Sequence, residues 1–290
     1  MLDQITPIIL TWNEAPNIGR TLDQLQWARD IIVVDSLSDD ETLDIVARTP
    51  QARVFNRRFI SLEDQWNFAL RETGIATEWV LALDADYVLP PEAAEEIRAL
   101  KPSQEVAGYR AKFVYCVYGR RLRGSAYPPV TVLYRRDWAR YRQDGHAHRV
   151  LIEGQVAELR CPLLHDDRKP LSRWLSSQDE YMKLETRKLL TTNWSALGWA
   201  DRIRRLIVPA PLVMFAYCLF VRGAILDGRA GLYYAFQRLL SELLLSLYLI
   251  DHGLIHRAQR KVGEMNKDRG PAVPSAAADN EGERVAHSRH

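Results

Sequence analysis

Residues 81–90 read LALDADYVLP, an apolar run that stops abruptly at Asp84, Ala85 and Asp86. A strand covered on both faces is a nearly continuous apolar run, so residues 79–83 predict a central strand that delivers two carboxylates to its own exit. In an open α/β sheet, ligands bind at that exit. Two carboxylates one residue apart repel each other unless a cation lies between them. Hard oxygen ligands suit a divalent cation, Mg2+ or Mn2+, carrying a phosphate-bearing substrate. An isolated Asp-x-Asp is more often a turn rich in Asp, so the rest of the chain decides the reading.

Upstream, residues 5–12 (ITPIILTW), 30–35 (DIIVVD) and 52–56 (ARVFN) are further β-rich runs, like 79–84 (WVLALD), and the gaps hold helical patterns. Residues 17–28 carry Ile18, Leu22, Leu25 and Ala28, and residues 41–48 carry Leu43, Val46 and Ala47, at the spacing of crossover helices. This alternation predicts βαβ units and a parallel sheet. Pro90 and Pro91 open a further helix over 92–100. From about residue 106 the segments lengthen and alternate (VAGYRAKFVYCVYG, PPVTVLYRRDW, HRVLIEGQVAELRCPLLH), which predicts antiparallel strands flanking the nucleotide half. Residues 171–190 predict an amphipathic helix with Trp174, Leu175, Tyr181, Leu184 and Leu189 or Leu190 in the core.

The C-terminal third differs. Residues 206–221 are uncharged, interrupted by Pro209 and Pro211 and bounded by Arg205 and Arg222. Alone they fall short of the roughly 20 apolar residues of a spanning helix. In residues 231–250 (GLYYAFQRLLSELLLSLYLI) the polar Gln237, Arg238, Ser241, Glu242 and Ser246 share one helical stripe and the remaining surface is apolar. With Arg202, Arg204, Arg205, Arg222 and Arg229 nearby, this pattern suits interfacial attachment to an anionic leaflet. The competing reading is a helical subdomain packed on the catalytic domain or on a second copy. Residues 270–290 are polar, small and Pro-containing, the composition of a disordered tail. The expected organisation is a catalytic domain over 1–195, a helical, membrane-associating extension over 196–265 and a tail over 266–290.

The chain has 290 residues, 47% of them hydrophobic, enough for a sizeable core. Its 39 basic and 37 acidic residues lack the basic excess of a nucleic-acid binder. Cys116, Cys161 and Cys218 are odd in number and far apart, so neither a disulfide framework nor a zinc site is expected, and a reducing cytoplasm fits. The first residues, MLDQITPIILTWNE, show no basic leader and too short an apolar run for a signal peptide, so export is not expected.

Strand one ends in Thr11, Trp12, Asn13 and Glu14, and strand two in Asp35, Ser36, Leu37, Ser38 and Asp39. In a doubly wound sheet both ends lie near the exit of the DADY strand. Trp12 can stack on a base and Asp35 can accept from an imide N–H, which describes a pocket for a pyrimidine such as uracil. Each has a structural alternative: Trp12 as core, Ser38 or Asp40 as a helix cap.

The ordered blocks TWNEAPNIGRTLDQL (11–25), VVDSLSDDET (33–42), QWNFAL (65–70) and LALDADYVLP (81–90) resemble those of family 2 glycosyltransferases with a GT-A fold. That fold is an α/β, Rossmann-like nucleotide-binding mixed sheet flanked by helices. The resemblance covers residues 5 to about 190. The branch most similar in detail includes lipopolysaccharide core β-1,4-glucosyltransferases, and FVRGAILDGRAGLYYA (220–235) resembles the segment after the catalytic domain in that branch.

The resemblance implies that Thr11, Trp12, Asn13, Glu14, Asp35 and Ser36 line the nucleotide-sugar pocket, with Asp35 on the base and Asn67 over the donor. It implies that Asp84 and Asp86 hold the divalent cation on the diphosphate, Asp84 also facing the donor. His165, in PLLHDDRKP after an apolar strand, is the candidate third metal ligand; a lone His is more often a hydrogen-bonded core or surface residue. Transfer with inversion needs a general base near the acceptor hydroxyl. Where relatives have Glu after a His, this chain has Arg149 after His148, so the base is sought in the QDGHAHR loop, at Asp144 or His148, with His146, Asp166 and Asp167 as substitutes. Arg149, Arg168 and Lys169 are either phosphate clamps or solvated charges. Tyr87 stands where the family often has Glu, and Leu37 where Gly is common.

The expected function is thus an inverting, metal-dependent transfer from a nucleotide sugar, UDP-linked, to a glycolipid or lipid-linked glycan at the inner face of a bacterial inner membrane. One alternative is a catalytically inactive nucleotide-binding or scaffold member of the same fold, supported by the missing Glu. The other, a sugar-phosphate nucleotidyltransferase, would open on a Gly-rich loop where this chain has TWNEAPN.

Overall fold

The apolar runs form the centre of a seven-stranded mixed sheet, as their pattern requires. The computed structural model describes residues 1–144 and 147–268, without the side chains of residues 143–148 and 260–268. Strands β1 (Ile5–Thr11), β2 (Ile31–Asp35), β3 (Ala52–Asn56) and β4 (Trp79–Asp84) alternate with helices α1 (Ile18–Asp23), α2 (Thr42–Val46) and α3 (Leu62–Glu72). A two-residue strand β5 (Tyr87–Val88) and helix α4 (Pro91–Ala99) follow. Next come β6 (Val106–Ala111), β7 (Phe113–Val117), β8 (Arg120–Arg121), β9 (Val130–Arg135), β10 (Ala139–Asp144), β11 (Ala147–Ile152), β12 (Gln155–Glu158) and β13 (Leu163–His165). The described chain ends in helices α5 (Leu171–Thr191), α6 (Trp199–Arg205), α7 (Pro209–Ala216) and α8 (Gly228–Asp268).

The large sheet runs β12-β6-β9-β4-β1-β2-β3. Strands β4, β1, β2 and β3 are parallel, as the alternation predicts, and β9 pairs antiparallel with both β4 and β6. The flanking half is not purely antiparallel, because β12 joins β6 in parallel. Successive residues of a strand face opposite ways, so the central strands feed two cores. Ile9, Val33, Leu81 and Leu83 pack with α1 and α4 on one side, while Ile8, Ile32, Val34, Val80 and Ala82 pack with Trp66, Ala69 and Leu70 of α3 on the other. Each such buried aliphatic stabilises the fold by roughly 1.5–3 kcal/mol. Register sets Leu10 beside Asp84 and Thr11 beside Asp35, which aligns the three strand exits.

A second, four-stranded sheet, β5-β13-β7-β8, lies over those exits and carries His165 on its strand β13. The sequence pattern does not predict it as a sheet of its own.

Residues Met1–Leu249 form one compact unit, and the described residues from Ile250 onward belong to a second. Helix α5 matches its predicted span, but its buried residues are Met182, Glu185, Thr186 and Leu189. Leu175, Tyr181 and Leu184, expected in the core, are each 39% exposed. The inward face is rotated because α5 buries a charged contact, Glu185 with Lys188 and Arg204, that periodicity of apolar residues does not register.

Candidate active site

The loops after β1 and β2 are stitched together by the residues expected to line a nucleotide pocket. Asp35 is fully buried and accepts from Thr11 Oγ1 (2.8 Å), the Ser38 N–H (2.8 Å) and Ser38 Oγ (2.6 Å). Its carboxylate therefore organises the loop, and the expected direct contact with a base is not available in this arrangement, since no oxygen reaches solvent. Asn13 adopts φ 54°, a left-handed conformation that Asn tolerates. Its N–H donates to Ser38 Oγ (2.8 Å), and its amide exchanges hydrogen bonds with Asp39 at 2.6 and 2.9 Å. Leu37 stands at φ 64°. That conformation costs a residue with a Cβ roughly 1–2 kcal/mol, which explains why Gly is common there in the resembling family. Ser36 Oγ accepts from Gln65 Nε2 (2.9 Å), tying α3 to the same loop.

Trp12 is not core: it is 52% exposed, with the Arg173 guanidinium 3.9 Å from its ring centroid. Arg173 lies in the first turn of α5, so the start of this helix stands beside Trp12.

At the exit of β4 the chain turns at residues 85–86 into β5, and the turn separates the two acidic side chains. Asp86 points toward β13, where its Oδ2 lies 3.1 Å from His165 Nε2. Asp84 instead lines a cavity with Trp66, Tyr87, Thr131, Tyr141 and Val150. Among the described residues no three His, Cys, Asp or Glu side chains converge as a metal-ligand set, so the expected trio Asp84, Asp86 and His165 is not assembled. Two atoms nevertheless remain buried without a hydrogen-bond partner, Asp86 Oδ1 and His165 Nδ1. A buried carboxylate oxygen in that state is costly and is the one observed feature that fits a cation.

His165 sits among the rings of Tyr87, Tyr115 and Tyr127, with centroids at 5.3, 4.9 and 4.7 Å. Burial disfavours its charged form, but Asp86 outweighs that and holds its pKa above the ordinary value. Burial likewise works against the Asp86 carboxylate, yet His165 and Lys169 bring it down to about 2. Tyr87 replaces an expected Glu and is buried, its hydroxyl bonded to that of Tyr127.

Lys169 joins the expected pocket residue Glu14 to the cluster at 2.6 Å, and Glu14 also accepts from Asn17 Nδ2 at 2.8 Å. Burial pushes Glu14 up to about 7 even against Lys169. Burial lowers Lys169, but Glu14, Asp86 and Asp167 override it and keep the ammonium charged. Asp166, a substitute base in the sequence, accepts from Arg20 (2.7 Å), Arg168 (2.9 Å) and the Gly119 N–H (2.9 Å). Asp167 accepts from Asn17 and from the Lys169 N–H, both at 3.0 Å. Both acids and Arg168 thus knit the loop after β13 to α1.

Asn67, expected over the donor, is a clamp on the β10–β11 hairpin: its Nδ2 donates to Tyr141 O (3.1 Å) and its Oδ1 accepts the Tyr141 N–H (2.9 Å). The candidate bases Asp144 and His148 lie on the paired ends of that hairpin, where their side chains, like His146, are outside the described residues. Arg173, Tyr115 and Tyr127 escaped sequence reasoning. The only signal was position: Arg173 follows the Pro170 that starts α5, three residues after the acidic pair.

Residues 6–149 match the family model described as Glycosyl transferase family 2. Among curated proteins, an uncharacterized glycosyltransferase of Rickettsia bellii is 36% identical over 109 residues, covering 37% of this chain and 36% of the relative. Another from Rickettsia prowazekii is 33% identical over 111 residues, covering 38% and 37%. The chain thus aligns with little more than a third of these relatives' length. Among solved structures, S. aureus TarS 1–349 in complex with UDP-GlcNAc is similar at a TM-score of 0.47 and 14% identity, over 86% of this chain and 92% of that chain.

Proposed function

Residues 6–149 form a family 2 glycosyl transferase domain, and from that premise we propose that this chain is an inverting glycosyltransferase. It moves a sugar from a UDP-linked donor to a glycolipid or lipid-linked glycan acceptor at the cytoplasmic face of a bacterial inner membrane. A divalent cation takes part, and the lipopolysaccharide core branch is the best guide to the acceptor. The observation that carries the reading is Asp86 Oδ1, buried and without a partner at the aligned exits of β1, β2 and β4.

Asp86 would hold the cation, through the oxygen that no hydrogen bond occupies. When bound, such an ion supplies positive charge to the diphosphate as it leaves. The protein's own residues do the rest. Trp12 offers an aromatic face at the mouth of the site, and Arg173 already lies on it. Lys169, kept charged by its acidic neighbours, adds a cation close to Asp86. In the transfer step the acceptor hydroxyl oxygen bonds to the anomeric carbon, the bond from that carbon to the diphosphate oxygen breaks, and the hydroxyl proton passes to a base. Asp144 or His148 is that base, on the hairpin that Asn67 holds against α3.

Release of UDP from a panel of UDP-sugars tests this reading. Cation-dependent release by the wild type that is lost in Asp86→Ala is expected; nucleotide binding without release or transfer would instead identify an inactive member of the fold.

A further inference from the structure

The last helix of the compact unit is built inside out. Ser241, Glu242 and Ser246 are 2, 2 and 7% exposed. All three are engaged: Ser241 Oγ donates to Gln178 Oε1 (2.8 Å), Glu242 accepts from Arg204 at 2.7 to 3.1 Å, and Ser246 Oγ donates to Ile207 O (3.0 Å). The opposite stripe, Leu232, Phe236, Leu240, Leu243 and Leu247, is 37 to 62% exposed. A helix at a protein–water boundary has the reverse polarity, so water is not the natural solvent of this face. Leu212, Phe220 and Val221 are likewise 68, 68 and 72% exposed, on a segment that meets the stripe where Phe215 lies 5.4 Å from Phe236. Contiguous apolar area of this kind marks an interaction site.

Charge identifies what covers it. Between residues 194 and 249 the only acids are Asp201, Asp227 and Glu242, with side chains 17, 4 and 3% exposed. Arg222 and Arg229 are exposed. So are Trp199 (75%) and Trp194 (48%), beside Arg202 and Arg205. Exposed apolar side chains, edged by tryptophan and arginine with every acid between residues 194 and 249 withdrawn, match the boundary layer of an anionic bilayer. We propose that the outer face of α7 and α8 is a docking surface for such a bilayer, with the helices lying in its plane. The stretch Ala224–Gln259 is long and apolar enough to cross a membrane. Over residues 241–246, however, its inner stripe is already occupied by protein, which leaves lipid one side only.

The surface is tied to the candidate active site. Asp227 Oδ2 accepts the Arg123 N–H (2.9 Å) and Tyr234 Oη accepts the Ala126 N–H (2.8 Å). The Tyr234 ring lies 4.9 Å from Tyr115, and Tyr115 lies 4.9 Å from His165. The apolar stripe is on the other side of the same helix, whose diameter is about 10 Å. An acceptor sugar carried on a lipid would thus be presented close to its site of reaction; this clause rests on the glycosyltransferase reading, whereas the docking surface does not.

Vesicle flotation of the full chain without nucleotide tests the surface. The wild type is expected to float with phosphatidylcholine vesicles containing phosphatidylglycerol and to bind pure phosphatidylcholine about tenfold more weakly. The double variant Phe236→Ser, Leu243→Ser should keep the wild-type circular dichroism melt and lose at least about tenfold in partitioning. Two results would overturn the inference: no flotation of the wild type with either vesicle, or a lipid-free dimer that the double variant dissociates, which would make a second copy the occupant. Because no sugar donor is present, failure here leaves UDP release untouched, and failure of UDP release leaves flotation untouched.

Discussion

His165 Nε2 lies 3.1 Å from Asp86 Oδ2, joining two residues 79 positions apart in the chain. The contact exists because β13 pairs with β5 immediately after the turn that bears Asp86, with His165 in register with Tyr87. It gives Asp86 one satisfied oxygen and leaves the other buried and unpartnered, toward which the Lys169 ammonium contributes charge.

Asp35 is expected to matter for stability before it matters for binding. Asp35→Ala removes the acceptor for Thr11 Oγ1 and for the Ser38 N–H and hydroxyl in a fully buried site. A loss of about 3 kcal/mol is expected from urea unfolding of the nucleotide-free protein. A stability equal to wild type with weakened UDP binding would instead give Asp35 the base-contact role.

Lys169 and Glu14 should behave as a coupled pair. Lys169→Met leaves Glu14 buried without its cation and should cost about 3 kcal/mol. Adding Glu14→Gln should recover part of that loss, and a double-mutant cycle from denaturant midpoints measures the coupling. Strict additivity would contradict the pairing.

Asn67 should separate transfer from donor binding. Its amide holds the Tyr141 backbone and with it the hairpin of Asp144 and His148. Asn67→Ala is expected to leave UDP affinity within about twofold while slowing transfer by tenfold or more, as misplacement of a catalytic group does. Weakened UDP binding with an unchanged transfer rate would return Asn67 to the donor.

The C-terminal helices depend on close backbone approach, at Gly231 within their own segment and at Gly124 where the loop after β8 meets them. A Cβ at Gly231 would meet Ala224 O at 1.8 Å, and one at Gly124 would meet Arg222 O at 1.5 Å. Gly231→Ala should therefore lower Tm by about 5 °C or more, whereas Gly253→Ala, where a Cβ meets nothing within 4 Å, should not.

The parallel half of the sheet was legible because Ile31–Asp35 and Trp79–Asp84 are apolar runs with sharp polar exits, and burial on both faces leaves that pattern in the sequence. The second sheet was not, because strands of two or three residues such as Tyr87–Val88 and Leu163–His165 are too short to show a period. The identities of Asp35, Asn67 and Asp86 were legible as candidate site residues, but their partners were not. Asn67 meets a backbone 74 residues away, and Asp35 is enclosed by two loops whose contacts depend on strand register. The polar stripe of α8 was visible in the sequence; that it faces inward, toward Gln178 and Arg204, required the packing.

Support of a cation by Asp86 at a nucleotide-sugar site is open to direct measurement. Thermal melting with UDP and Mn2+, together and separately, measures it in wild type and Asp86→Ala. At about 100 times Kd the wild type should gain roughly 2.7 kcal/mol only when both are present, and the variant should gain nothing. An equal shift in both proteins, or none in the wild type, would show that Asp86 holds no cation there.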